Sequence, residues 1–298
     1  MILLKKCPVC GCASLKPKIT CKDHTTSKEV FNIVSCETCG FTLTNPRPDD
    51  DSLAKYYKSE MYISHTNSSE GIFNWTYQKI RLYTTKRKVA LLRKLVPTGK
   101  HLDVGCGTGE FLSACKKSGY ETEGIEPSDE ARKKAVKNHG LSISKSSNLT
   151  QYAKDEFNSI SLWHVLEHIP NINTLVSQLN HTLKHDGKII VAVPNHNSWD
   201  AKHYKEYWAA WDVPIHLWHF SKKTIVKLFE KHNLKLIETK PMLFDSFYVS
   251  LLSEEFISGK KNFIRSFIIG LISNLFGTFT KNGHSSIIYI FEKEKKAI

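Results

Sequence analysis

No stretch of the 298-residue chain reaches about 18 uninterrupted apolar residues, the length needed to cross a bilayer. The opening MILLKKCPVC places four apolar residues ahead of two lysines. That run is too short for a signal-peptide core, and its charge lies on the wrong side of it. There is no G-x-x-x-x-G-K-[ST] run, which excludes a P-loop. Internal repeats and low-complexity tracts are likewise missing. Acidic residues are the scarcer sign, 29 against 42 Lys and Arg, for a formal net charge of +13. Such a balance admits nucleic acid, anionic lipid or an acidic substrate as partner, but scattered lysines also make ordinary solvated helix faces.

What is present is globular. Hydrophobic residues make up 41% and charged residues 24%, values that exclude wholesale disorder. Eight cysteines without an export signal point to a reducing compartment, with thiols held for a metal or left free. The expectation is a cytoplasmic protein.

Residues 1–48 are punctuated by cysteine, proline and polar residues, and TNPRPDD at 44–50 reads as a turn or linker. Residues 49–98 look helical and form a linker or lid, with Tyr56, Tyr57 and Tyr62 as residues that either line a helix or close over a ligand. From 99 onward the chain alternates. Strands are predicted near 101–104, 121–125, 141–144, 158–163, 188–193, 234–240 and 286–292, with helices at 108–118, 128–138, 171–184 and 221–232. Alternation of this kind implies an α/β fold, a doubly wound sheet of seven mainly parallel strands. Two stretches break the rhythm: an aromatic and histidine-rich cap at 194–220 and an apolar insertion at 241–284.

HLDVGCGTGEF at 101–111 carries glycines 105, 107 and 109 in a G-x-G-x-G pattern at the mouth of a strand. The dinucleotide fingerprint is G-x-G-x-x-G, and Glu110 occupies the place of its third glycine. A carboxylate there would repel a pyrophosphate at the positive helix end. The turn therefore suits a ligand that needs close backbone approach but brings no phosphate. Asp103 precedes it and Glu126 ends the next strand, where a carboxylate can accept both hydroxyls of a ribose.

LDVGCGTGEF, GIEPSDEARKKA and ISLWHVLEHIPN together resemble class I S-adenosylmethionine-dependent methyltransferases, over roughly residues 75–240. GKIIVAVPN falls where that family has its fifth strand. The resemblance implies S-adenosylmethionine as donor, held by Asp103, Gly105, Cys106, Gly107, Gly109 and Glu126, with Leu162, Trp163 and His164 bordering it from the fourth strand. No Asp/Asn-Pro-Pro-aromatic motif follows that strand, which argues against methylation of exocyclic amines of DNA bases.

CPVCG at 7–11 and CETCG at 36–40 are two C-x-x-C-G turns. Four thiolates on two such knuckles make a closed tetrahedral zinc site, so Cys7, Cys10, Cys36 and Cys39 are the expected ligands of a structural zinc ion in a zinc-ribbon-like module. Cys12 and Cys21 lie between the pairs and are the second choice as ligands. Cys106 and Cys115 flank the glycine turn with no base partner in sequence and read as small buried residues.

The cap holds AAWDVPIHLWHFS, similar to the D-x-P-x-H-L-x-x-F-S run of related bacterial methyltransferases. His216 and His219 are candidate general bases, Asp212 can orient an imidazole, and Trp208, Trp211 and Trp218 can wall the pocket. The competing role for either histidine is hydrogen-bonded packing. In the insertion, FIRSFIIGLISNLFGTF at 263–279 is expected to pack or to form a dimer surface, with peripheral membrane contact as the alternative because Lys260, Lys261 and Lys281 flank it. The expected function is methyl transfer to a small molecule, a sugar derivative or a lipid-like compound. One rival makes the acceptor RNA or protein, clamped by the zinc module and the basic run KIRLYTTKRK. Another is a non-catalytic regulator that retains the donor site.

Overall fold

Short apolar runs bounded by glycine, proline and capped helix starts form the strands predicted from the pattern. The structure, a computed structural model, describes residues 1–57, 72–145 and 148–294. Tyr62 lies outside the described residues.

Seven strands share one sheet: β4 (Lys100–Val104), β5 (Glu121–Ile125), β6 (Ile143–Ser144), β7 (Phe157–Trp163), β8 (Leu183–Pro194), β10 (Leu234–Pro241) and β11 (Ser286–Lys293). Their spatial order is β10-β11-β8-β7-β4-β5-β6. Pairing from β6 through β8 is parallel, while β11 runs antiparallel to both β8 and β10. Ile189 to Val193 in β8 are all fully buried, as expected where helices cover both faces. The chain order reverses at β4, so the crevice beyond the ends of β4 and β7 is the topological switch point where such sheets bind ligands.

The helices follow their capping signals. Ser128 caps α4 (Asp129–His139) through its hydroxyl and Gly140 ends it in the left-handed conformation. Ser221 and Thr224 form a capping box on α7 (Lys222–Glu230). A short helix, α1 (Asp50–Leu53), leads toward the long helix α2 (Ile72–Leu95), while α3 (Glu110–Lys117) and α5 (Ile172–Thr182) flank the sheet.

The cysteine-rich head builds a second, antiparallel sheet from β1 (Leu15–Lys22), β2 (Val30–Cys36) and β3 (Thr42–Thr44). Its fourth strand does not come from residues 1–48. It is β9 (Trp218–His219), contributed by the cap, paired Thr42 to His219 and Leu43 to Trp218. Head and cap therefore share one hydrogen-bonded sheet.

The insertion folds into α8 (Asp245–Ser258) and α9 (Phe263–Phe279). The inner side of α9 is small: a Cβ on Gly270 would come within 2.6 Å of Phe247, and one on Gly277 within 2.8 Å of His284. Ile264 and Phe279 on its outer side are 77% and 82% exposed, so much of its apolar content faces outward. Among the described residues, no helix is long and apolar enough to cross a membrane.

Asp200, in the cap helix α6 (Trp199–Tyr204), fastens these parts together. It is fully buried and accepts hydrogen bonds from Trp208 Nε1 at 2.7 Å, Ser273 Oγ at 2.6 Å and Ser285 Oγ at 2.6 Å. These donors belong to the cap, to α9 and to the approach to β11. Removing the acceptor strands three buried donors, each costing about 1–3 kcal/mol. Asp200→Ala is expected to lower unfolding stability by at least about 3 kcal/mol in urea titration, and Asp200→Asn by less. A loss below about 1 kcal/mol for the alanine variant would show that the node is dispensable.

Candidate active site

At the end of β4 the chain turns through Gly105, Gly107 and Gly109, all left-handed at φ 73°, 56° and 85°. The N–H groups of Gly105 and Cys106 both donate to Ile125 O, at 2.7 and 3.0 Å, which ties the turn to the end of β5. The three glycines serve different ends. A Cβ at Gly105 would sit 2.4 Å from Val165 Cγ2, and one at Gly109 would meet Leu141 at 2.6 Å and Ala135 at 2.9 Å. A Cβ at Gly107 would meet nothing within 4 Å. Gly105 and Gly109 are thus demanded by packing as well as by φ, whereas Gly107 faces open space.

Glu126 shapes the rim of this turn. Its Oε2 accepts from Gly107 N at 2.8 Å and its Oε1 from Ser128 N at 2.8 Å. Each oxygen keeps a further lone pair, so the carboxylate is oriented by the backbone and can still accept two hydroxyls of a diol. Glu110, at the start of α3, is held by Thr108 Oγ1 at 2.7 Å and by Arg81 from α2 at 3.1 Å. Asp103 is buried beneath the turn, where it accepts a hydrogen bond from Ser161 Oγ. Loss of hydration pushes its pKa up to about 7, against the pull of Ser161 and Lys88.

The end of β7 brings together charges that the sequence pattern does not mark. His164 has φ 57° and sits between two carboxylates, with Nε2 2.9 Å from Asp245 Oδ2 and Nδ1 3.4 Å from Glu167 Oε1. Burial alone would lower its pKa, but the two carboxylates outweigh that and raise it to about 10. Lys88, from α2, lies 4.2 Å from the centre of the Trp163 ring. Burial lowers the pKa of Lys88 against the attraction of Asp245 and Asp103. Leu162 is fully buried beside them in the core. Lys88 and Asp245 are absent from the set of candidates read from sequence. Lys88 sits in KRKVALLRK, which resembles a solvated helix face, and Asp245 lies about 80 residues downstream of His164, in the insertion, with no motif around it.

In the cap, His216 Nδ1 lies 2.9 Å from Ala210 O, and its Nε2 is 3.9 Å from Asp212 Oδ2. His219 belongs to the shared sheet. Thr44 Oγ1 donates to His216 O at 2.8 Å, so at its 3.0 Å contact with His219 Nε2 it accepts. The network thus assigns a proton to Nε2 of His219, which engages that nitrogen in holding cap to head. Trp208, Trp211 and Trp218 are buried and donate their indole N–H groups to Asp200, Lys205 O and Ile169 O. Cys106 and Cys115 are buried, as expected for small packing residues.

The head gathers Cys7, Cys10, Cys36 and Cys39 into one cluster, with Sγ–Sγ distances of 3.6 Å for Cys7–Cys39 and 3.5 Å for Cys10–Cys36. Cys12 and Cys21 are not part of it: Cys12 Sγ accepts from Ser14 N at 3.3 Å, and Cys21 is buried among the aromatic residues of the cap.

The contrast between glycines yields a stability test. Gly107→Ala should cost only the left-handed backbone term, about 1–2 kcal/mol. Gly105→Ala adds a collision with Val165 and should cost about 2–5 kcal/mol, read by chemical denaturation. Equal losses for the two would contradict the distinction.

With this geometry in view, the family described as "Methyltransferase domain" matches residues 77–239. The ubiquinone biosynthesis O-methyltransferase of Actinobacillus pleuropneumoniae is 33% identical over 108 residues, 32% of this chain and 46% of that protein. An uncharacterized protein of Methanocaldococcus jannaschii is 29% identical over 122 residues, 41% of this chain and 57% of that protein. The chain thus spans about half the length of the curated relatives it matches. Among solved structures, Burkholderia thailandensis 1,6-didemethyltoxoflavin-N1-methyltransferase, with bound 1,6-didemethyltoxoflavin and S-adenosylhomocysteine, has a TM-score of 0.50 at 11% identity. The match covers 94% of this chain and 100% of that one, a likeness of fold. The family match takes in more than half of the chain, from α2 through β10, and the protein belongs to the class I S-adenosylmethionine-dependent methyltransferases.

Proposed function

We propose that the protein transfers the methyl group of S-adenosylmethionine to a small-molecule acceptor. The observation that carries this is Glu126, fixed by the N–H groups of Gly107 and Ser128 so that its remaining lone pairs are free for a ribose diol beside an open glycine turn. When bound, S-adenosylmethionine supplies an electrophilic methyl group on a sulfonium. The chain's part is to orient the donor through Glu126 and the turn, and to border it with Trp163 and His164. In-line displacement gains mainly from such alignment and from exclusion of water. A small acceptor is supported by a relative named for ubiquinone biosynthesis O-methylation. It is supported also by the fate of the basic helix. Lys88 is turned inward over Trp163, Arg81 pairs with Glu110 and Arg87 donates to Tyr83 OH at 3.0 Å. Those cations are engaged within the protein, which weakens the nucleic-acid clamp reading.

The same proposal includes a structural zinc ion on the four cysteines. Tetrahedral zinc with Zn–S near 2.3 Å sets Sγ–Sγ edges of about 3.8 Å, close to the 3.5 and 3.6 Å found. Gly11 and Gly40 close the two knuckles with φ 76° and 78°. Burial raises the pKa of the Cys7 and Cys39 thiols, against the pull of the backbone N–H groups of Val9 and Cys10 on Cys7 and of Phe41 on Cys39. Four protein ligands leave no open position, so this zinc would stabilise the head and take no part in chemistry.

Calorimetric titration should show S-adenosylmethionine and S-adenosylhomocysteine binding to the wild type. Glu126→Ala should weaken both at least tenfold, about 1.4 kcal/mol. Preferential binding of NAD, or no nucleoside binding by folded protein, would sink the donor reading. Metal analysis should find one zinc fewer per chain in Cys39→Ser than in wild type, with a lower melting temperature. Equal zinc content in the two proteins would remove the zinc assignment.

A further inference from the structure

Glu167 is fully buried, and neither of its carboxylate oxygens receives a hydrogen bond among the described residues. Leaving a buried carboxylate without a hydrogen bond is costly, because desolvation removes more than a single shared counter-charge returns. The nearest cationic group, His164 Nδ1, is 3.4 Å away and is shared with Asp245. The imidazoles of His168 and His216 also lie beside it. One ligand atom from each of Glu167, His168 and His216 falls within 4.8 Å of the others.

The two histidines are presented in a specific way. His168 Nδ1 lies 3.1 Å from both Ile215 O and Tyr57 Oη, where the hydroxyl shares the ring proton as an acceptor, and His216 Nδ1 lies 2.9 Å from Ala210 O. A carbonyl only accepts, so each ring carries its proton on Nδ1 and turns an unprotonated Nε2 away from the backbone. Donation of the second ring nitrogen to a backbone carbonyl is how proteins orient metal-binding imidazoles. The rings meet edge to face with centroids 4.6 Å apart.

We propose that Glu167, His168 and His216 form a second metal site, separate from the cysteine cluster, for a divalent cation with oxygen and imidazole preference such as Mn2+ or Fe2+. Two imidazoles and one carboxylate leave coordination positions open. Asp212, with Oδ2 3.9 Å from His216 Nε2, stands at the edge of the cluster. The site adjoins His164 at the end of β7, the strand that borders the donor. Given the methyltransferase activity proposed above, on which this step rests, the open positions take an oxygen of the acceptor, whose class is then a hydroxylated small molecule. Coordination lowers the pKa of that hydroxyl, its proton leaves to solvent water, and the oxygen forms the new C–O bond as the S–C bond of the donor breaks. His216 thereby acts as a ligand instead of a base.

The experiment is Mn2+ titration into full-length protein with its zinc in place and no methyl donor, read by calorimetry and by pulsed electron paramagnetic resonance. One Mn2+ per chain with hyperfine coupling to two imidazole nitrogens is expected. Glu167→Gln keeps the shape of the side chain, and its affinity should fall about 100-fold, the upper range seen even for outer-shell changes. His216→Ala should leave coupling to one nitrogen. Mn2+ should raise the melting temperature of the wild type and leave that of Glu167→Gln unchanged, a comparison that also reports whether the variant folds. No saturable Mn2+ binding, binding without nitrogen coupling, or equal binding by Glu167→Gln overturns the site. Because no methyl donor is present, that failure is distinct from loss of S-adenosylmethionine binding, which would instead overturn the donor reading.

Discussion

Leu217 is hydrogen-bonded on both sides, and much of the architecture depends on that. Its N–H donates to Glu167 O at 2.9 Å, and its carbonyl accepts from Thr44 N at 3.0 Å. One bond anchors the cap to the end of β7 and the other to the cysteine-rich head. Each is worth about 1 kcal/mol when made, but a buried backbone group left unpaired costs more, so the register of this segment is tightly set. With Leu217 fixed, His216 is aimed at Glu167 and His219 at Thr44.

The head is therefore joined to the cap through the shared sheet. Metal held by the four cysteines would stiffen β2 and β3, and β3 sets the edge on which Trp218 and His219 pair. The cysteine cluster and the cap are thus linked by the strand pairing of β3 with β9 and by the hydroxyl of Thr44, which bonds to His216 O and His219 Nε2.

Beside the glycine turn, opposite charges alternate from element to element. Asp103 on β4, Lys88 on α2, Asp245 on α8, His164 beyond β7 and Glu167 after it form a series that is buried at its two ends and half-buried between them. Interactions of this kind are stronger away from water, but each unpaired member is also more costly. The series explains why the long helix and the apolar insertion belong to the functional unit although neither carries a methyltransferase motif. The insertion delivers Asp245, and the long helix delivers Lys88.

The sequence by itself determined the seven strands, their alternation with helices, the glycine turn, Glu126 and the pairing of two C-x-x-C-G knuckles. These are properties of local conformation: strand period, left-handed glycines and ligand spacing are all written within a few neighbouring residues. Glu167 and His168 are visible in WHVLEH, but a carboxylate and an imidazole four and five residues past a strand end say nothing of what faces them. Only the tertiary structure decided that His216, nearly 50 residues later, closes on them, that Lys88 turns inward, and that the cap lends a strand to the head. Such groupings arise from long-range packing and from the need to compensate buried charge, and no short window of sequence records which distant residue supplies the compensation.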